Sequence, residues 1–169
     1  MKLLLAFIVA ASLLAFSQPS FADPLPGTTV LKGCYGEAAA AGQFLKVGDR
    51  QSAAVVGLGC DVSLDRIIIG GGLRARFGDA DAGSLYARLG LAVNANLTVY
   101  GITELKSIDW KFKDTRQLQL GLGAETTAFS DQISVFIEGT TSVAKFGPLA
   151  SRDDVEMMIG LRWRPSNGR

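Results

Sequence analysis

Most of this chain alternates between apolar and polar residues with period two, the signature of a strand with two unlike faces. The last such segment is the clearest. Val155, Met157, Ile159, Leu161 and Trp163 fall on one face, and Glu156, Met158, Gly160, Arg162 and Arg164 on the other. From Gln117 onward, Leu118, Leu120, Leu122 and Ala124 alternate with Gln117, Gln119, Gly121, Gly123 and Glu125. Leu85, Ala87, Leu89, Leu91 and Val93 oppose Tyr86, Arg88, Gly90, Ala92 and Asn94. Ile67, Ile69, Leu73, Ala75 and Phe77 oppose Arg66, Arg74 and Arg76. Val56, Leu58, Cys60, Val62 and Leu64 oppose Gly57, Gly59, Asp61 and Ser63. Two weaker segments follow the same rule. Leu97, Val99 and Leu105 face away from Thr98, Tyr100, Glu104 and Lys106; Ile133, Val135 and Ile137 face away from Ser134, Phe136, Glu138 and Thr140. A first strand near residues 30–43 is the least defined, being rich in Ala and Gly. The pattern predicts eight strands of about ten residues or slightly more, the length a tilted strand needs to cross a bilayer.

The connectors predict a topology. Longer ones are expected at 45–51, 78–83, 107–116 and 147–154, and shorter ones near Asp65, at 94–96 and at 129–132. Four long loops at one end and three short turns at the other describe an even-stranded outer-membrane barrel whose two termini share the turn end. The expected fold is all-β: an eight-stranded antiparallel up-and-down transmembrane β-barrel.

Alternation alone also describes a soluble sandwich or a lipocalin-like barrel, in which the apolar face points inward. The content of the polar face separates the two. It carries glycines and charges of both signs: Asp61, Arg66, Arg74, Arg76, Arg88, Glu104, Lys106, Glu125, Glu138, Glu156, Arg162 and Arg164. A solvent-facing surface would hold more Lys, Ser and Asn. Arg with Asp and Glu suits a narrow lumen, because the planar guanidinium binds carboxylates bidentately and stays charged. These twelve residues are therefore expected to form a lumen charge network.

The start of the chain adds a compartment. Lys2 precedes an apolar run over residues 3–16, a break at Ser17-Gln18-Pro19 and small residues around Ser20-Phe21-Ala22. This is the layout of a secretory signal, with cleavage expected between Ala22 and Asp23. The run is short of the ~20 residues of a spanning helix. Residues 1–22 are thus read as a signal peptide and 23–169 as one barrel domain. Lys2 is the single charge in the signal, so of 17 cations 16 remain, against 16 acids. That balance lacks the basic footprint of a nucleic-acid binder.

Export sends Cys34 and Cys60, the two cysteines of the chain, to an oxidising compartment. Their midpoint is Val47, inside the first expected loop. In an antiparallel hairpin centred there the two face each other directly, within disulfide range. The expected bridge lies on the apolar face near the turn end and stabilises by about 3 kcal/mol in the chain-entropy model. The same register places Lys32 on that face, where it would snorkel to the interface. The alternative is a pair of reduced, buried small residues. A metal site at these cysteines is a poor alternative, since the chain has no histidine and neither cysteine has another nearby; no cofactor is expected. Gly70-Gly71-Gly72 lacks the Lys-Ser/Thr of a phosphate loop and is read as relief of crowding or a bend.

Several short runs resemble the opacity-type porin family of small outer-membrane barrels. Gly33-Cys34-Tyr35-Gly36 looks like the first strand of such a barrel, Gly59-Cys60-Asp61 like its second-strand counterpart, and Gly160-Leu161-Arg162-Trp163-Arg164 like the closing strand. The resemblance covers nearly all of residues 23–169, mainly as a pattern. It implies residence in the cell outer membrane, contact with outer-membrane lipid and lipopolysaccharide, insertion by the barrel-assembly machinery, and a surface role: envelope integrity, adhesion or a narrow porin-like leak. Such barrels end on an aromatic residue that the assembly machinery reads. Here Pro165 and Ser166-Asn167-Gly168-Arg169 follow the last strand, which leaves Trp163 as the substitute.

Catalysis is not expected. The lipid-modifying outer-membrane barrels use a serine activated by histidine, and this chain has none. A soluble periplasmic ligand-binding barrel is the competing function. One loop carries a candidate binding surface, where Trp110 and Phe112 alternate with Lys111 and Lys113 and Arg116 follows. Two readings fit it: contact with lipopolysaccharide phosphates or a host surface, or the top of two strands ending in an aromatic girdle. The girdle is favoured.

Overall fold

A computed structural model describes residues 33–45, 50–78, 81–107, 116–128, 130–146 and 154–165. It contains eight strands: β1 (Gly33–Leu45), β2 (Arg50–Leu64), β3 (Ile67–Gly78), β4 (Ala82–Ala92), β5 (Leu97–Ser107), β6 (Arg116–Ala128), β7 (Ser130–Phe146) and β8 (Asp154–Trp163). Each pairs antiparallel with its neighbour in sequence, and β8 returns to β1 to close the barrel. The seam runs from Gly36 opposite Trp163 to Leu45 opposite Asp154. Closure leaves no unpaired sheet edge, which is what allows a sheet to sit in hydrocarbon.

Register follows from the first hairpin. Gly33 faces Asp61, Cys34 faces Cys60 and Phe44 faces Arg50, so the pair is centred on Val47 as expected. Cys34 and Cys60 form a disulfide with their Cα atoms 3.9 Å apart, both exposed on the outer surface. Lys32 lies outside the described residues. Reduction should therefore leave the barrel closed by its β-ladder, with an electrophoretic shift after thiol alkylation that is absent from the unreduced protein. A shift without reductant would contradict the bridge.

Three sequence expectations are corrected. Arg66, expected in the lumen, sits in the two-residue turn after β2 and is exposed. Asp65 takes a left-handed conformation (φ 57°), Ser63 Oγ donates to the Asp65 carbonyl at 2.9 Å, and Ala92 N donates to the Arg66 carbonyl at 2.8 Å. The chain reverses over these two residues, so the inward parity of β3 starts at Ile68. Second, connector lengths alternate less regularly than expected. At the loop end the gaps are 46–49, 79–81, 108–115 and 147–153; at the turn end they are 65–66, 93–96 and 129. The first two loops are short because pairing continues to Phe44–Arg50 and Arg76–Ala82. The turn at 93–96 is longer than the loop at 79–81, and Asn94 Oδ1 organises it by accepting from the backbone N–H of Asn96 (2.8 Å) and Leu97 (2.9 Å). Third, β2 begins at Arg50 and β7 runs over 17 residues, with register shifts against β6 at Leu118/Gln119 and Thr127/Ala128. Bulges of this kind add curvature to a closing sheet.

The two faces are inverted relative to a soluble protein. Leu58 (71% exposed), Leu122 (75%), Leu89, Leu73, Val62 and Trp163 point outward, while arginines and carboxylates are buried inside.

Candidate functional site

The lumen is the candidate site, and parity delivers its side chains. Even-numbered positions of β3, β4 and β5 face inward, bringing Arg74, Arg76, Tyr86, Arg88, Tyr100, Glu104 and Lys106 together. β6 contributes Gln117, Gln119 and Glu125; β7 contributes Ser134, Phe136, Glu138 and Thr140; β8 contributes Glu156, Met158 and Arg162, with Arg164 just beyond it. β1 and β2 add Tyr35, Glu37 and Asp61.

The ion pairs fall into three connected groups. At the turn end, Arg88 donates to both Asp61 carboxylate oxygens, through Nε at 2.9 Å and through Nη2, and its Nη1 reaches Glu125 Oε2 at 2.8 Å. Arg164 spans the same two acids, with Nη2 at 3.1 Å from Asp61 Oδ2 and Nη1 at 2.7 Å from Glu125 Oε1. Ser134 Oγ also donates to Glu125 Oε1, at 2.5 Å. In the middle, Glu37 is held by Arg74 Nε (2.5 Å) and Arg162 Nε (3.0 Å). Glu138 lies between the same two guanidinium groups, 3.0 Å from Arg74 Nη2 and 2.6 Å from Arg162 Nη2, and accepts from Tyr100 OH at 2.7 Å. Arg162 Nη1 continues to Glu125 Oε2 at 2.5 Å, joining the middle group to the turn end. At the loop end, Arg76 donates to Glu104 Oε1 (2.5 Å) and Glu156 Oε1 (2.7 Å), and Lys106 Nζ donates to Glu156 Oε2 at 2.9 Å. Glu104 Oε2 lies 3.4 Å from Arg74 Nη1 and links this group to the middle one.

Among the described residues, the buried cations are Arg74, Arg76, Arg88, Lys106, Arg162 and Arg164, and the buried acids are Glu37, Asp61, Glu104, Glu125, Glu138 and Glu156. Six meet six, so the described charges of the lumen balance. That balance matters because an unpaired buried charge costs several kcal/mol. Aromatic rings fill the space between the forks. The Arg162 guanidinium lies 3.9 Å from the Phe136 ring centre and that of Arg74 lies 4.1 Å from Tyr86, both within cation–π range. Tyr35 and Tyr86 hydroxyls share a hydrogen bond of 2.6 Å.

Small residues opposite these bulky ones make the packing possible. A Cβ added at Gly57 would lie 2.6 Å from Glu37 Oε1, and one at Gly123 would lie 2.5 Å from the Tyr100 ring. In the triplet at 70–72, added Cβ atoms would collide with the Asp61 carboxylate at Gly70 and the Tyr86 hydroxyl at Gly72. Relief of crowding thus accounts for that triplet.

Of the twelve lumen residues expected from sequence, the structure brings eleven together and leaves Arg66 outside. Glu37 was missed, although it bridges Arg74 and Arg162. The signal was present: the Cys34–Cys60 pairing turns Cys34 outward, which turns Tyr35 and Glu37 inward. The buried Tyr35, Tyr86, Tyr100 and Phe136 were legible by the same parity. Trp110, Lys111, Phe112 and Lys113 lie outside the described residues; Arg116 opens β6, exposed and opposite Ser107.

An eight-stranded barrel with an apolar exterior and a side-chain-filled, charged interior belongs to the transmembrane class of barrels by architecture. A soluble ligand-binding barrel requires the opposite arrangement, with an apolar interior. No protein-family model matches the chain, and no curated protein does. Solved structures do. The chain is similar to Neisserial surface protein A at 12% identity and TM-score 0.51, over 78% of this chain and 96% of that one. It is also similar to a de novo designed transmembrane β-barrel at 13% identity and TM-score 0.50, over 76% of this chain and 93% of that one. At these identities the likeness establishes the fold.

Proposed function

We propose that this protein is an outer-membrane surface barrel of the opacity-porin type, with a structural or adhesive role and no wide diffusion pore. The observation that carries this is the inverted distribution of side chains: large aliphatic residues cover the outside while balanced ion pairs occupy the inside. A bilayer accepts that exterior, and water alone does not. The likeness to a Neisserial surface protein supports the surface role. The filled lumen supports the absence of a pore, since Arg162 and Arg74 cross it and contact carboxylates from several strands. The chain has no histidine to activate a serine, which favours a non-catalytic role. Outer-membrane lipid, lipopolysaccharide and the barrel-assembly machinery are the partners this reading assigns, with the exposed Trp163 at the end of β8 as the residue the machinery reads.

Conductance tests the closed lumen. Purified protein in a planar lipid bilayer is expected to give no large, stable current steps. Steps comparable to those of a general porin would overturn the filled-lumen reading.

A further inference from the structure

The charged lumen is not packed uniformly along its axis. At the loop end there is a cavity of about 30 Å³, lined by Gln43, Gln51, Ala53, Arg76, Lys106 and Glu156 among others. One water requires roughly 10–15 Å³. Arg76 lines this cavity and is 1% exposed, yet its Nε has no hydrogen-bond partner. Next to Lys106 in the β5–β6 register is Gln117, buried, whose Oε1 also lacks a partner. Beyond it, the buried Gln119 uses Oε1 to accept from Thr140 Oγ1 at 3.2 Å, while its Nε2 has no partner. Thr98 Oγ1 and Arg164 Nε, toward the turn end, lack partners as well; what sets the loop end apart is that Arg76 Nε borders the cavity, with Gln117 and Gln119 on β6 beside Lys106, one of its lining residues. Leaving a buried polar atom unsatisfied costs about 1–3 kcal/mol, so the cavity points to a small ligand that can both donate and accept. The cavity admits nothing larger than one or two waters.

We propose that the loop end of the lumen is a blind hydrated vestibule. Ordered water enters there, bonds Arg76 Nε and the Gln117 and Gln119 side-chain amides, and stops at the Arg76–Glu104–Glu156 layer. Below that layer the side chains close the barrel. Arg162 spends Nε, Nη1 and Nη2 on Glu37, Glu125 and Glu138, and Arg88 spends its three nitrogens on Asp61 and Glu125. On this proposal water enters the cavity from the loop end, and resistance to any ion or solute resides in the layer of Arg162 and Arg88 pairs. The inference rests on the lumen geometry and holds whichever membrane contains the barrel.

Side-chain NMR on the purified protein in lipid nanodiscs tests this. The expected result is direct water cross-peaks to the Gln119 amide and the Lys106 ammonium protons. Their exchange should be at least about tenfold faster than that of the Arg88 and Arg162 guanidinium protons. Ala53→Leu fills the cavity from β2 and should abolish the water cross-peaks at Lys106 while leaving Arg88 and Arg162 protected. Equal exchange at Gln119 and Arg162, or no water cross-peak in the unsubstituted protein, would overturn the proposal. Persistence of the cross-peaks in folded Ala53→Leu would overturn it too.

Discussion

Arg162→Met is expected to destabilise the folded barrel by about 3–5 kcal/mol, the cost of breaking a buried ion pair from one side. Arg162 is fully buried and bonds Glu37, Glu125, Glu138 and Tyr100. Met occupies a similar volume, so loss of charge rather than a cavity dominates. Its removal leaves six buried acids against five cations, and the three carboxylates it bridges come from β1, β6 and β7. Arg162→Lys should lose less: it keeps the charge but replaces a planar fork that bonded three acids with a compact ammonium whose three donors radiate from one atom. Urea titration of the protein in lipid vesicles, followed by tryptophan emission, gives the comparison. A loss below about 1 kcal/mol for Arg162→Met, the range of an exposed ion pair, would contradict the buried network.

Leu122→Arg tests the exterior. Leu122 lies near the middle of β6, 75% exposed, with Gly101 and Gly139 opposite it on the neighbouring strands. If lipid covers this face, an arginine there should cost about 2–4 kcal/mol, the midplane penalty for transmembrane barrels. In a water-soluble barrel the same exposed position would tolerate the change within about 0.5 kcal/mol. Arg116 is an internal reference: it is an exposed cation at the loop-end start of the same strand, where the penalty falls toward zero. Equal stability of Leu122→Arg and the unsubstituted protein would remove the membrane from this account.

Strand number, face assignment and the first register were legible because each rests on a local rule. Period two fixes which residues share a face, and an antiparallel pair has one centre. Cys34 and Cys60 therefore fixed Val47 as the hairpin midpoint without any structure. Arg66 escaped because parity says nothing about where a strand stops, and a two-residue turn removes the last residue from the lumen. Glu37 escaped because β1 is built of Ala and Gly, so alternation carried no hydrophobic contrast there and the face set by the Cys34–Cys60 register was the single cue. The pairing of specific charges was not legible at all. Arg74 reaches Glu37 on β1 and Glu138 on β7 across the barrel interior, contacts set by closure and by the glycines that make room for them.

The most direct test of the central claim, a closed barrel held in the outer membrane with its charges inside, is electrophoretic mobility of cell fractions with and without boiling. The protein should occur in the outer-membrane fraction and run as a compact, fast band unheated and as a slower band after boiling. A single unshifted band in the soluble periplasmic fraction would contradict it, and would mean that water, not lipid, covers Leu58, Leu122 and Trp163.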